Sequence, residues 1–253
     1  MLDQILERLK SKYSDILKDN LVGIYLHGSI AFNCFNPEKS DIDFIVVVKD
    51  KLSNEIQHRL INVLLEMNDI VPKKGFEMSV VLKRHCLNFE YPTPYELHFS
   101  NDWAKNYLEN PDSVCNQKFE TDPDLAAHFT IINHCGQVLC GMPINEVFGE
   151  VKKEYYVDSI YTDIINAKDE ILSSSTYIIL NLCRVLGYLK DDKILSKEQG
   201  GLWGLENLKV KYKNVIQNAL DNYINNIDMS VNDKEKLGFA EYMIKNIELY
   251  LKR

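Results

Sequence analysis

The stretch from Leu21 to Val48, LVGIYLHGSIAFNCFNPEKSDIDFIVVV, constrains the fold more than any other part of the chain. An apolar run, Val22 to Leu26, ends abruptly at His27-Gly28-Ser29. A short polar segment follows, then Ser40-Asp41-Ile42-Asp43 and a second apolar run, Phe44 to Val48. Two buried strands joined through a small turn-helix satisfy this pattern. Gly28 lets the backbone approach a ligand closely, and Ser29 starts a helix whose free N–H groups face an anion. Asp41 and Asp43 are two apart on a strand, so both carboxylates point to one face. Paired hard oxygen ligands suit Mg²⁺, which takes one or two carboxylates plus substrate phosphates. A turn glycine beside a strand with a charged entry would explain the same letters without a metal. In that case the two carboxylates, next to an aliphatic run, would still need partners.

Gly-Ser followed by Asp-x-Asp at the start of a strand resembles the signature of the polymerase-beta-type nucleotidyltransferases. In that superfamily the Gly-Ser turn holds a triphosphate and the two Asp residues hold Mg²⁺. The resemblance implies a mixed α/β fold with a third carboxylate on the next strand.

Composition sets the outer bounds. A chain of 253 residues allows one large domain or two smaller ones. The hydrophobic fraction of 45% and charged fraction of 26% are those of a globular protein, and no run reaches the length of a membrane helix. The N-terminus MLDQILERLK lacks the apolar segment of a secretory signal. The six cysteines form no CxxC pair and read as reduced, mostly buried thiols of a cytoplasmic protein. A net charge of −8 with no basic block beyond Lys209-Val210-Lys211-Tyr212-Lys213 disfavours nucleic acid and fits a cationic small substrate.

Along the chain, residues 3–18 show helical spacing with Asp3 as N-cap, and residues 53–67 a second amphipathic helix. Phe76 to Leu82 reads as a third strand with Glu77 near its start. The Tyr-, Pro- and Phe-rich segment from Asn88 to Trp103 reads as a loop at the rim of a cleft. Asp122-Pro123-Asp124 starts a helix, with Asp122 as cap and Leu125, Phe129, Ile132 and Val138 on its buried face, ended at Cys140-Gly141-Met142-Pro143. From about 151 only helical spacing remains, with helices near 157–172, 174–189, 197–222 and 232–252. The expected architecture is a nucleotidyltransferase domain over 1–150, a mixed sheet with helices, then an α-helical bundle over 151–253, the two meeting at a cleft.

The resemblance narrows further. Tyr91-Pro92, Glu96-Leu97-x-Phe99, Trp103 and Asp122-Pro123-Asp124-Leu125-Ala126 are similar to the middle of the aminoglycoside adenylyltransferases that modify spectinomycin and streptomycin. Asn181-Leu182-Cys183-Arg184 and Lys197-Glu198-x-Gly-Gly-x-Trp203 resemble that family's helical half. The resemblance implies a monomer that transfers AMP from ATP to a drug hydroxyl. Asp41, Asp43 and Glu77 would bind Mg²⁺, with Glu77 taking the hydroxyl proton. Gly28, Ser29, Ser40, Arg184, Lys197 and Tyr223 would hold the nucleotide, and Trp103 and Glu170 the drug. His27 stands where the family more often has Tyr or Phe. Ser173-Ser174-Ser175 occupies the place of its streptomycin-binding acid, and Ile165 that of a tryptophan. The alternatives are another acceptor, a protein or a tRNA end, or a nucleotide-binding antitoxin-like module without turnover.

Overall fold

The computed structural model of the chain describes residues 1–115 and 120–252. They form two compact units, Met1–Tyr156 and the residues from Val157 onward.

The first unit is built on a mixed sheet. Its strands are β1 (Leu21–Leu26), β2 (Ile42–Val48), β3 (Phe76–Leu82), β5 (Leu97–Ser100) and β7 (Gln137–Gly141), in the order β5-β3-β2-β1-β7. β2 and β3 are parallel and the other pairs antiparallel. A parallel pair needs a crossover, and α3 (Asn54–Glu66) supplies it, started by Ser53, whose side chain accepts the Ile56 N–H. Every residue of β2 is buried, as a central strand covered on both faces must be. On one face Ile24, Phe44, Val46, Met78 and Val80 pack in a core with α1 (Leu2–Leu17) and α3. On the other, Tyr25, Ile45, Val47 and Val81 pack with α7 (Leu125–Cys135). The alternation fixes which way each polar residue at a strand end points. The one-turn α2 (Gly28–Ala31) joins β1 toward β2. Short helices α4 (Lys83–Leu87), α5 (Ala104–Glu109) and α6 (Pro111–Cys115) and a two-stranded ribbon, β4 (Thr93–Pro94) with β6 (Thr121–Asp122), complete the unit.

Several boundaries differ from the sequence expectation. Asp3 lies in the first turn of α1, whose N-cap is Met1. The segment 88–103 is not all loop: β5 extends the sheet by pairing with β3. α7 begins at Leu125 with Asp124 as N-cap, because Asp122 belongs to β6 and its carboxylate accepts the Asp124 N–H at 2.8 Å. Helix α7 ends at Cys135, since Gly136 is extended (φ −57°, ψ 157°). Val138 therefore lies on the edge strand β7 and is 43% exposed.

α8 (Lys153–Thr162) contains the division between the units. The second unit continues with α9 (Ala167–Glu170), α10 (Ser175–Asp191), α11 (Lys197–Asn207), α12 (Lys213–Asn225) and α13 (Asp233–Leu251). The expected helix 157–172 is broken by a turn at 163–166, anchored by the buried Ile164. The expected helix 197–222 is broken where Leu208 and Lys209 are extended. α10 is apolar around most of its circumference, and α11, α12 and α13 pack against it.

Candidate active site

The parallel register sets Asp43 of β2 directly beside Glu77 of β3. Odd-numbered positions of β2 and β3 face α7, so Asp43 shares its face with Ile45 and Glu77 shares its face with Val81. Asp41, just before β2, adds a third carboxylate: oxygens of Asp41, Asp43 and Glu77 lie within 4.8 Å of one another. Asp43 is buried, and Asp41 and Glu77 are half-buried. Three hard anionic oxygens at this spacing fit a divalent cation of the Mg²⁺ class and leave coordination positions for phosphate or water.

The turn after β1 closes onto these carboxylates. The His27 N–H donates to the Asp43 carbonyl at 3.1 Å. Gly28 has φ +55°, and a Cβ there would stand 1.8 Å from Asp43 Oδ2. Only glycine satisfies both conditions. Ser29 Oγ is buried with no hydrogen-bond partner among the described residues, an orphan that a ligand oxygen would satisfy.

α7 contributes a pair that sequence spacing did not single out as site residues. Asp124 and His128 are one turn apart and meet Glu77. Ligand atoms of Glu77, Asp124 and His128 also lie within 4.8 Å of one another. His128 Nε2 is 3.5 Å from Asp124 Oδ2 and 3.8 Å from Glu77 Oε1. Burial pulls the His128 pKa down, but Asp124, by charge and hydrogen bond, with Glu77 and Asp122, outweighs it and carries the value up to about 10. The His27 ring lies 4.4 Å from that of His128. Its pKa is pushed the other way, well below the usual imidazole value, by burial first and by His128 second. One rung along β3, Ser79 Oγ and His98 Nδ1 are 2.9 Å apart.

The structure thus brings together Gly28, Ser29, Asp41, Asp43 and Glu77. Ser40 is buried, and its hydroxyl accepts the Asn36 N–H at 3.1 Å, closing the loop before Asp41. Trp103 stands 42% exposed in the turn after β5. Arg184, Lys197, Tyr223 and Glu170 belong to the second unit. Arg184 is held by its own neighbours: Nε donates to the Leu195 carbonyl and Nη1 to Asn181 Oδ1, both at 2.8 Å. Lys197 opens α11 behind the Ser196–Gln199 capping box, with its Nζ 4.8 Å from the centre of the Tyr177 ring. Tyr223 is half-buried on α12, and Glu170 is exposed at the end of α9.

Residues 2–95 match the family model of the nucleotidyltransferase domain, and residues 146–246 that of the aminoglycoside adenylyltransferase C-terminal domain. A spectinomycin 9-adenylyltransferase of Campylobacter jejuni is 25% identical over 249 residues, 94% of this chain and 92% of the relative. An aminoglycoside (3'') (9) adenylyltransferase of Klebsiella pneumoniae is 23% identical, with 96% of each chain covered. Among solved structures, the spectinomycin adenyltransferase AAD(9) of Enterococcus faecalis, with ATP and spectinomycin, aligns with a TM-score of 0.82. The identity is 19%, and the alignment covers 97% of this chain and 98% of that one. This last likeness establishes the fold.

Proposed function

Because the chain belongs to the aminoglycoside adenylyltransferase family of polymerase-beta-like nucleotidyltransferases, we propose that it transfers AMP from ATP to a hydroxyl of spectinomycin, depends on Mg²⁺ and releases pyrophosphate. The observation that carries this reading is the convergence of Asp41, Asp43 and Glu77 beside a glycine turn that has no room for a side chain.

The chemistry asks little more of the protein. A drug hydroxyl oxygen attacks the α-phosphorus, the bond to the bridging oxygen breaks, and pyrophosphate leaves with the electron pair. Glu77 takes the hydroxyl proton, as the half-buried carboxylate at the edge of the cluster. Asp41 and Asp43 would hold the metal, which supplies neutralisation of phosphate charge when bound. Gly28 lets the backbone approach the phosphates, and the orphan Ser29 hydroxyl donates to them. By the family resemblance, Ser40, Arg184, Lys197 and Tyr223 serve the nucleotide, and Trp103 and Glu170 the drug. The hydrogen bonds that fix Arg184 would orient it before a ligand arrives.

The drug preference rests on the serine run. Streptomycin carries guanidinium groups, which favour paired carboxylates. Ser173 donates to the Glu170 carbonyl and Ser175 to the Ile171 carbonyl, so these hydroxyls serve their own turn and bring no charge. A missing charge partner in a buried site costs a few kcal/mol. Expression in a susceptible bacterium, with both drugs tested side by side, decides it. The expected result is strong protection against spectinomycin and weaker protection against streptomycin. The reverse order would overturn the preference.

A further inference from the structure

We infer that His128 is a positioning residue for Glu77, one that fixes the carboxylate which receives the acceptor proton. The inference rests on the reading of Glu77 just given.

The geometry puts three elements around one ring. His128 projects from α7, where Asp124 one turn earlier lies 3.5 Å from its Nε2. The same nitrogen is 3.8 Å from Glu77 Oε1, within ion-pair range, so this edge of the ring faces two carboxylates from different elements. The flat side of the ring lies against His27 at 4.4 Å and a tilt of 33°. His27 in turn is tied to β2 through its N–H to the Asp43 carbonyl. The His128 side chain is only 13% exposed, which leaves the ring little room to turn.

Glu77 needs this. Its carboxyl sits at the end of a three-bond side chain and is 31% exposed, so packing alone does not choose its orientation. The carboxylate thus lies between His128 on one side and the Asp41–Asp43 pair on the other. A general base must hold such a geometry to a fraction of an ångström, and about 1 Å of misplacement can cost on the order of 100-fold in rate. Asp124, on the same nitrogen and from the ring's own helix, holds that edge of the imidazole toward the sheet.

The test uses two variants of the full chain with ATP, Mg²⁺ and spectinomycin. His128→Leu keeps the volume and removes the N–H, while His128→Gln restores a donor at similar reach. We expect kcat of the Leu variant to fall at least about 10-fold, with KM for ATP and drug within about 3-fold, and the Gln variant to recover most of the loss. A crystal structure of the Leu variant should show Glu77 turned away from its parental orientation. Unchanged kcat in the Leu variant, equal losses in both variants, or an effect confined to KM would each overturn the inference. Should the parent adenylylate no drug at all, the proposed function fails and the crystal structure alone decides. In that case an unmoved Glu77 in His128→Leu overturns the positioning role, and a turned one sustains it.

Discussion

His27 and His128 have rings 4.4 Å apart, yet their environments push them in opposite directions. The pKa of His128 is raised from 6.5 to about 10, so its contribution to stability is full below pH 6.5 and is lost as the pH rises toward 10. The pKa of His27 is lowered from 6.5, so its contribution is full above pH 6.5 and is lost as the pH falls through its folded value. Urea midpoints measured from about pH 5 to about pH 10 should therefore show two separable limbs. The stability of the parent minus that of His27→Phe should fall on the acid side, and the stability of the parent minus that of His128→Leu should fall on the alkaline side. Parallel curves for either variant would remove that residue from the account. The sequence exposed the carboxylates of this site more readily than the imidazoles. Asp41 and Asp43 announce themselves by their spacing at a strand entry, and Glu77 by its place in the next strand. His128 is 51 positions from Glu77 (128 − 77) and joins it only because α7 packs over that face of the sheet. The available signal was Asp124 and His128 at i, i+4, two ligand-type residues one turn apart at the start of a mostly apolar helix.

The elements differ in how tightly they tolerate added atoms. α11 lays its Gly200, Gly201 and Gly204 against α10 and α12. A Cβ on Gly201 would fall 2.5 Å from Leu220 Cδ2 and 2.8 Å from Leu180 Cδ2. Gly238, within α13, has nothing within 4 Å of where its Cβ would be. Gly201→Val should thus destabilise the chain by about 1–3 kcal/mol through overpacking. Gly238→Ala should stabilise it by about 0.5–1 kcal/mol by lowering the freedom of the unfolded helix. Thermal melts of the two variants check both signs, and a rise in Tm for Gly201→Val would contradict the packing described. The long elements were legible because their apolar periodicity is strong: α1, α3 and the core strands β1, β2 and β3 stand close to where the pattern put them. Short edge strands were not. β5 is four residues within a run of aromatics and prolines, and β7 follows a helix whose apolar spacing runs on to Val138. Gly136 was the one mark of that boundary. The break at Leu208 carries neither Gly nor Pro, so only tertiary packing sets it.

For the whole molecule, the claims that matter are group transfer and its dependence on the carboxylate cluster. The net charge of −8 suits a cationic drug, and no helix among the described residues is long and apolar enough to cross a membrane. The most direct measurement follows both products with the purified full chain, ATP, Mg²⁺ and spectinomycin. Pyrophosphate release is read alongside the mass of the drug. The account predicts one adenylyl group gained per drug molecule, stoichiometric pyrophosphate, and loss of both when the metal is chelated. It also predicts a fall of at least about 100-fold in a folded Asp43→Asn variant. Parental turnover in that variant, or drug that gains no adenylyl group while ATP is consumed, would contradict it.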